Sequence, residues 1–389
     1  MQEITERTKC TGCHACLSAC PSRCITMQPD EAGFLYPSID ALRCTDCGLC
    51  KKACPVEQEY VGENALAAYA CIANDEAVRA KSSSGGMFTL LASEVLHRGG
   101  VVIGAAWDDE GQLVHMVVQK EADLPKLQGS KYLQSRIGNV LKETKAFLEA
   151  GRTVYFSGTP CQIGGLKAYL RKPYPNLICQ DIICHGVPSP KTWSKYLAYV
   201  CETSGKIPAE LCAPEFRNKD HGWLGFRLKI GFSDGTSVSR AKGEDLYMQA
   251  FLNNYGLRPS CYNCHFKSAE RESDIMLADF WGVDKILPQM FDDKGTSLVL
   301  VYSEKGKALF DSVKAHMACT AVDPSAALAY NTAATLSVSK PKGNETFLRA
   351  VESSRFDTAV HTVLKKSAAA RLQKKARSLL RRAKTKLCR

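Results

Sequence analysis

Cys10-Thr-Gly-Cys13-His-Ala-Cys16-Leu-Ser-Ala-Cys20-Pro21 and, further on, Cys44-Thr-Asp-Cys47-Gly-Leu-Cys50-Lys-Lys-Ala-Cys54-Pro55 are two copies of one pattern. Each is a C-x2-C-x2-C-x3-C-P run, the spacing with which a short loop gives three thiolates to one 4Fe-4S cube and its fourth to the neighbouring cube. By that rule Cys10, Cys13, Cys16 and Cys54 hold one cluster, and Cys44, Cys47, Cys50 and Cys20 hold the other. Two-residue gaps let successive thiolates converge on adjacent irons while loop amides point at the sulfides and offset their charge. Gly12 and Gly48 suit such turns, because glycine enters positive-φ conformations without steric cost. The prolines after Cys20 and Cys54 end the short helix carrying each remote ligand. Zinc also uses C-x2-C pairs, but it stops at four ligands and leaves a repeated set of four plus proline unexplained. The stretch predicts a ferredoxin-like two-cluster domain that moves electrons singly.

Composition bounds the remainder. A chain of 389 residues, 45% hydrophobic, supports a sizeable core and two or three domains. Its 19 cysteines follow a polar Met1 to Lys9 segment rather than a signal peptide, so they read as reduced thiols and not as a disulfide framework. No run of 18 apolar residues occurs. The expectation is a soluble cytoplasmic protein with oxygen-sensitive, anaerobically handled clusters. The net charge of +11 belongs to the tail: residues 361–389 hold 11 Lys and Arg and no acid, leaving the rest balanced.

The fold class expected is an α+β ferredoxin-like domain over residues 1–60, followed by an α/β domain with a mixed sheet over 64–330 and an extension over 331–389. Ile25 to Met27 and Gly33 to Tyr36 read as short strands, and Glu57 to Glu63 as a linker. Cys24 is spare by the four-plus-four count and reads as a small packed thiol. Strands are predicted at Leu66 to Ala73, Val101 to Trp107, Thr153 to Ser157 and Leu177 to Ile183. They alternate with helices at Gly86 to Arg98, Ile137 to Glu149 and Gln162 to Leu170, the signature of an α/β sheet. Leu224 to Phe232 and Thr236 to Arg240 read as a hairpin, from which a mixed sheet is inferred.

Three loops carry chemistry-capable residues. Lys81-Ser82-Ser83-Ser84-Gly85-Gly86 opens into a helix, which makes either an anion site for a nucleotide pyrophosphate or an ordinary serine cap. Leu127-Gln128-Gly129-Ser130-Lys131-Tyr132 offers a cation and a ring, or is a solvated loop. Gly158-Thr159-Pro160-Cys161-Gln162 lies at the carboxyl end of a strand, where open α/β sheets collect ligands. No G-x-G-x-x-G occurs, so the standard dinucleotide fingerprint is absent. Cys161, Cys184 and the pair Cys261 and Cys264 would complete a third 4Fe-4S site; a zinc site or scattered thiols are the alternatives, and Cys179 is a rival fourth ligand. His185 and His265 flank these thiols, with a structural role as the default.

Ser83 to Gly86, Gly129-Ser-Lys-Tyr132, Gly158-Thr-Pro-Cys-Gln162, Cys184-His-Gly186, Cys261-x-x-Cys264 and Ala278-Asp-Phe-Trp-Gly282 together resemble the β-subunit family of coenzyme F-420 hydrogenases and dehydrogenases. The resemblance covers about residues 64–330 and implies an iron–sulfur flavoprotein. In it Ser84, Gly85, Gly86, Lys131, Gly158, Thr159 and Pro160 look like FAD contacts. Cys161, Cys184, Cys261 and Cys264 look like a flavin-proximal cluster.

The implied activity is electron exchange between a small-molecule two-electron partner, a deazaflavin or another, and a ferredoxin-type carrier or partner redox subunit. No residue stands out as catalytic acid or base. The competing class is a non-catalytic electron-transfer subunit of a larger redox complex. In the tail, Leu364, Ala368, Leu372, Ala376, Leu379, Leu380, Ala383 and Leu387 share one helical face. This basic amphipathic helix suits an anionic surface, such as the inner membrane face, or an acidic partner better than nucleic acid. A solvated terminal extension is the plainer reading.

Overall fold

The computed structural model describes residues 3–364. In the amino-terminal module, β1 (Ile25–Pro29) and β2 (Leu35–Ile39) pair antiparallel, Ile25 opposite Ile39. Two one-turn helices, Ala15–Ala19 and Leu49–Lys52, each follow a left-handed residue, His14 at φ 62° and Gly48 at φ 69°. Those turns reverse the chain after the first thiols of each run, so that the helix carries the remote ligand back toward the other run.

The body supplies strands β3 (Ala67–Ala73), β4 (Val101–Trp107), β5 (Leu113–Val118), β6 (Val154–Ser157) and β7 (Leu177–Ile182). Next come β8 (Glu215–Asn218), β9 (Arg227–Gly231) and β10 (Ser237–Ala241), and last β11 (Ile275–Asp279), β12 (Ser297–Val301) and β13 (Met317–Val322). Eight of them form one sheet in the order β13-β3-β12-β11-β7-β6-β4-β5. Its centre, β11-β7-β6-β4, is parallel, and both flanks are antiparallel. The sheet is therefore mixed, as expected, but not because of the hairpin. β9 and β10 do form the predicted hairpin, which joins β8 in a separate three-stranded sheet.

Burial explains the layering. β4 and β12 are apolar on both faces because helices cover both sides of the sheet, the condition for near-continuous hydrophobic strands. On one side Leu91 and Val95 from helix Met87–His97 and Leu309 and Phe310 from helix Glu304–Ser312 pack on Val102, Tyr155 and Val299. On the other, Leu141 and Leu148 from helix Val140–Glu149 and Ile163 and Leu166 from helix Pro160–Leu170 pack on Ile103, Val154 and Phe156. A second, aromatic core joins Trp193, Tyr196, Phe216 and Tyr247 to Phe347, Val351 and Phe356. The segment read as a carboxy-terminal extension thus packs into the molecule as far as helix Phe356–Leu364. The basic amphipathic helix read from Leu364 to Leu387 lies, beyond Leu364, outside the described residues.

The pairing directions put the carboxyl ends of β3, β4, β6, β7 and β11 on one edge of the sheet. The helix that leaves β6 also anchors the cysteine-rich module. Gly164 and Gly165 sit in its interior, where glycine costs about 1 kcal/mol relative to alanine. Close approach accounts for both: a Cβ on Gly165 would stand 2.8 Å from Cys13 Cβ and 2.9 Å from its sulfur, and one on Gly164 would stand 2.5 Å from the Phe266 ring. Gly165→Ala is expected to lower stability by about 1–3 kcal/mol, the usual cost of overpacking. Thermal unfolding of the anaerobic protein checks this, with Gly243→Ala, whose Cβ would meet nothing within 4 Å, as the unmoved control.

Candidate functional site

The thiols of the amino-terminal module lie close enough to influence one another, and Cys16, Cys20, Cys24 and Cys54 share one buried cluster. Burial drives the Cys16 thiol above its ordinary range, and Cys13, Cys10 and Cys54 are the charged neighbours that add to the rise. Cys54, from the second run, is pushed up to about 12 by burial and then by Cys13 and Cys10. Cys50 is raised by burial, with Cys47 and Cys20 beside it. Cys54 therefore sits with the first run and Cys20 with the second. Cys10, Cys13, Cys16, Cys54 and Cys20 are buried, whereas Cys47 is exposed and Cys44 and Cys50 are half-buried. The inner group packs into the body, with Cys13 in the same core as Val101 and Ile163. Cys24 is buried with its sulfur 3.4 Å from that of Cys20, so it packs against a ligand position.

A second group forms at the carboxyl edge of the sheet. Cys161 lies in the first turn of helix Pro160–Leu170, Cys184 follows β7, and Cys261 and Cys264 belong to and follow the short turn Pro259–Asn263. All four line one pocket with Lys267, Arg271 and Arg258. Burial raises the thiols of Cys161, Cys184 and Cys261, the last to about 12, and in each case others of the four are charged neighbours that raise it further. Chain donors already face these sulfurs: the Val187 N–H donates to Cys261 at 3.4 Å, and the Thr159 hydroxyl is 3.2 Å from Cys161. Four convergent thiols with N–H donors and cations around them fit a cluster whose net charge is negative. Among the described residues no three His, Cys, Asp or Glu are close enough together to hold a single metal ion. Cys179 stays apart, fully buried within β7, its N–H donating to Asp274. His185 contacts Asn254 at 2.8 Å and His265 packs edge-on against Tyr60 and Phe266.

The hydroxyl and glycine loops lie along the same edge. Ser84 donates its hydroxyl to the Thr296 carbonyl, and the Gly85 N–H donates to Ser297 Oγ. Gly85 is forced by crowding, since a Cβ there would stand 2.2 Å from the Cys71 carbonyl oxygen. Gly86, at φ 99°, starts helix Met87–His97. The Ser130 N–H donates to Ser83 Oγ at 2.7 Å and ties the second loop to the first. Lys131 turns its amine into the chain, donating to the carbonyls of Leu127 and Gln128, and burial lowers its pKa to about 7. Gly158 and Thr159 follow β6, and Thr159 and Gln162 form a reciprocal cap for the helix that begins at Pro160.

Two cations escaped sequence reasoning. Lys219 donates to the carbonyls of Arg79, Ser84 and Lys294, and burial, followed by Arg79, lowers its pKa to about 8. Arg217 is 6% exposed, pairs with Asp279 at 3.1 Å, and lies over the rings of Phe226 and Trp281 at 3.9 and 5.1 Å. The signal was half visible, because Asp279 and Trp281 belong to the quoted Ala278 to Gly282 motif. Nothing local marks Arg217 or Lys219. A separate cleft of about 520 Å³ opens between module and body near His14, Phe34, Trp107 and Trp193; none of Ser84, Gly85, Gly86, Lys131, Gly158, Thr159 or Pro160 lines it.

Residues 68–142 match the model of the coenzyme F420 hydrogenase/dehydrogenase β-subunit amino-terminal domain, and residues 151–327 match that of its carboxy-terminal domain. The chain belongs to this β-subunit family. Residues 9–58 of this family member match a 4Fe-4S dicluster domain, so a ferredoxin-type iron–sulfur domain precedes the family's own body. No curated protein matches the sequence. Among solved structures, a chain of the F420-reducing [NiFe] hydrogenase complex from Methanosarcina barkeri is similar, 16% identical over 78% of this chain and 93% of that one, with a TM-score of 0.46. The β-subunit-like chain is thus an oxidoreductase-family protein with iron–sulfur electron transfer built into it. No helix among its described residues is long and apolar enough to cross a membrane.

If Cys161, Cys184, Cys261 and Cys264 share one cluster, replacing any one of them by alanine should remove roughly four irons per chain. Cys179→Ala should keep them. Iron and sulfide assays on anaerobic protein decide, and equal losses at Cys179 would contradict the assignment.

Proposed function

We propose that the chain is an FAD-dependent iron–sulfur oxidoreductase carrying three 4Fe-4S clusters, which passes electrons between a deazaflavin-like two-electron partner and one-electron carriers. The observation that carries this reading is the shared sheet edge: the four-thiol pocket and the hydroxyl and glycine loops are adjacent, Thr159 touching Cys161 while its helix cap follows β6. Flavin, when bound, supplies the chemistry that joins hydride transfer to single-electron carriers.

The residues have separate tasks in this scheme. Gly85 and Gly86 pack the loop tightly against β3 and Ser297 at the start of helix Met87–His97, and a helix start favours a phosphate. Lys219, bonded to Ser84 O, and Arg217 beside Ser83 place positive charge at that same loop. The Gly158 to Pro160 turn forms the side of the site nearest Cys161, and Lys131 adds a cation from the neighbouring loop. Cys161, Cys184, Cys261 and Cys264 hold the proximal cluster. Cys10, Cys13, Cys16 and Cys54 hold the next, and Cys44, Cys47, Cys50 and Cys20 the outermost. Exposed Cys47, with Arg43, Lys51 and Lys52 exposed around it, is where a ferredoxin-type carrier or partner subunit would dock. The protein is assigned to the cytoplasm, and the basic composition of residues 361–389 suits an anionic surface.

Purified anaerobically, the protein should hold near-stoichiometric flavin and about 12 irons. Arg217→Gln and Lys219→Gln should each weaken FAD binding about 10- to 100-fold, the cost of about 1.5–3 kcal/mol for a charged hydrogen bond. Affinity should also fall as pH rises above about 7 and further above about 8. Lys131 and Lys219 have their pKa values lowered by burial to about 7 and about 8, and an anion is held best while both are protonated. Equilibrium titration with FAD across pH measures both effects. Iron-loaded protein that binds no flavin would overturn the reading, and flavin that no small-molecule donor bleaches would favour a pure electron-transfer subunit.

A further inference from the structure

Buried arginines in this chain are paired with carboxylates: Arg79 with Asp292 at 2.6 Å, Arg217 with Asp279 at 3.1 Å, Arg271 with Asp181 at 3.7 Å. Arg258 is not. It is 1% exposed, yet among the described residues its guanidinium meets no carboxylate. It donates to the carbonyls of Cys10 and Leu35, both at 2.8 Å, to Gln134 Oε1 at 3.3 Å, and to the Cys10 sulfur at 3.8 Å. Tyr36 and Phe34 present ring faces at 4.4 and 5.4 Å, a weaker compensation than an anion. An uncompensated buried charge costs several kcal/mol, so its counter-charge should be sought nearby.

The surroundings supply one on each side. Arg258 touches Cys10 of the inner amino-terminal thiol group, and it also lines the pocket of Cys161, Cys184, Cys261 and Cys264. The chain makes room for it: a Cβ on Gly12 would stand 2.9 Å from the guanidinium. Its own backbone N–H is bonded to the Val187 carbonyl, next to the N–H that donates to Cys261.

We propose that Arg258 is a counter-charge shared by the proximal cluster and the Cys10 cluster, and that it raises the reduction potential of both. This rests on the three-cluster reading above. Reducing a cluster adds one electron and one negative charge with no bond made or broken, so a fixed cation in low dielectric favours the reduced form. Placed between two such sites, it also offsets their mutual repulsion and keeps either from trapping the electron. The outer group at Cys20, Cys44, Cys47 and Cys50 makes no contact with it.

The test is an EPR-monitored redox titration of anaerobic wild type, Arg258→Gln and Arg258→Lys after iron counting. In the glutamine variant the reduced-to-oxidised ratio at a fixed potential should fall at least tenfold, 59 mV for a one-electron couple, at the Cys10 cluster and the proximal cluster. The outer cluster should not move. Unchanged potentials at full iron, or equal shifts in all three clusters, would overturn the proposal, because a mere structural clamp predicts the former and general loosening the latter. Should the glutamine variant lose iron, the lysine variant decides: a point charge cannot serve both sites, so one potential should fall by that amount, and wild-type values at both contradict the idea. Wild type with only two clusters would defeat the three-cluster reading alone, leaving Arg258 to be judged on the Cys10 cluster.

Discussion

The close approach at Gly164 and Gly165 is the constraint on which the arrangement depends. A helix that begins with Cys161 must pass between the Cys13 loop and the Phe266 segment that follows Cys264, and side chains on that face would hold them apart. Two interior glycines weaken the helix by about 2 kcal/mol together. The penalty is offset by the apolar cores that clamp the helix on the sheet, with Ile163 and Leu166 buried beneath it. What results is close approach of the helix that carries Cys161 to the Cys13 loop.

That contact creates an electrostatic difficulty. Two anionic clusters held close would repel each other, more strongly in a low-dielectric interior than in water. The chain places cations where the difficulty is greatest: Arg258 between the groups, and Lys267 and Arg271 at the far wall of the pocket. Arg271 is partly spent on Asp181, whose carboxyl burial raises to about 6. In the proposed relay, the order in space runs from the pocket at the sheet edge, through the buried Cys10 group, to exposed Cys47.

Much of this was legible in the sequence, for reasons tied to range. The paired runs from Cys10 to Pro55 mark an iron–sulfur domain locally, and strands such as Val101 to Trp107 announce burial on both faces through composition alone. The hairpin was legible as a hairpin, but its sheet was not, since pairing with β8 is a long-range choice. Arg217, Lys219 and Arg258 carry no motif; each acquires its role from residues far off in sequence, Asp279, Ser84 and Cys10. The loop around Ser84 shows the opposite limit, because its hydroxyl and the Gly85 N–H serve the chain itself. Local pattern singled out that loop and left open whether any of its groups faces a ligand.

The central claim is that electrons reach the ferredoxin-type domain only through the four-thiol pocket. Stopped-flow reduction of a Cys264→Ala variant that retains flavin and the iron of the amino-terminal domain tests it most directly. The account predicts that a two-electron donor bleaches the flavin while the amino-terminal clusters stay oxidised over many wild-type half-times. Reduction of those clusters at the wild-type rate would contradict it.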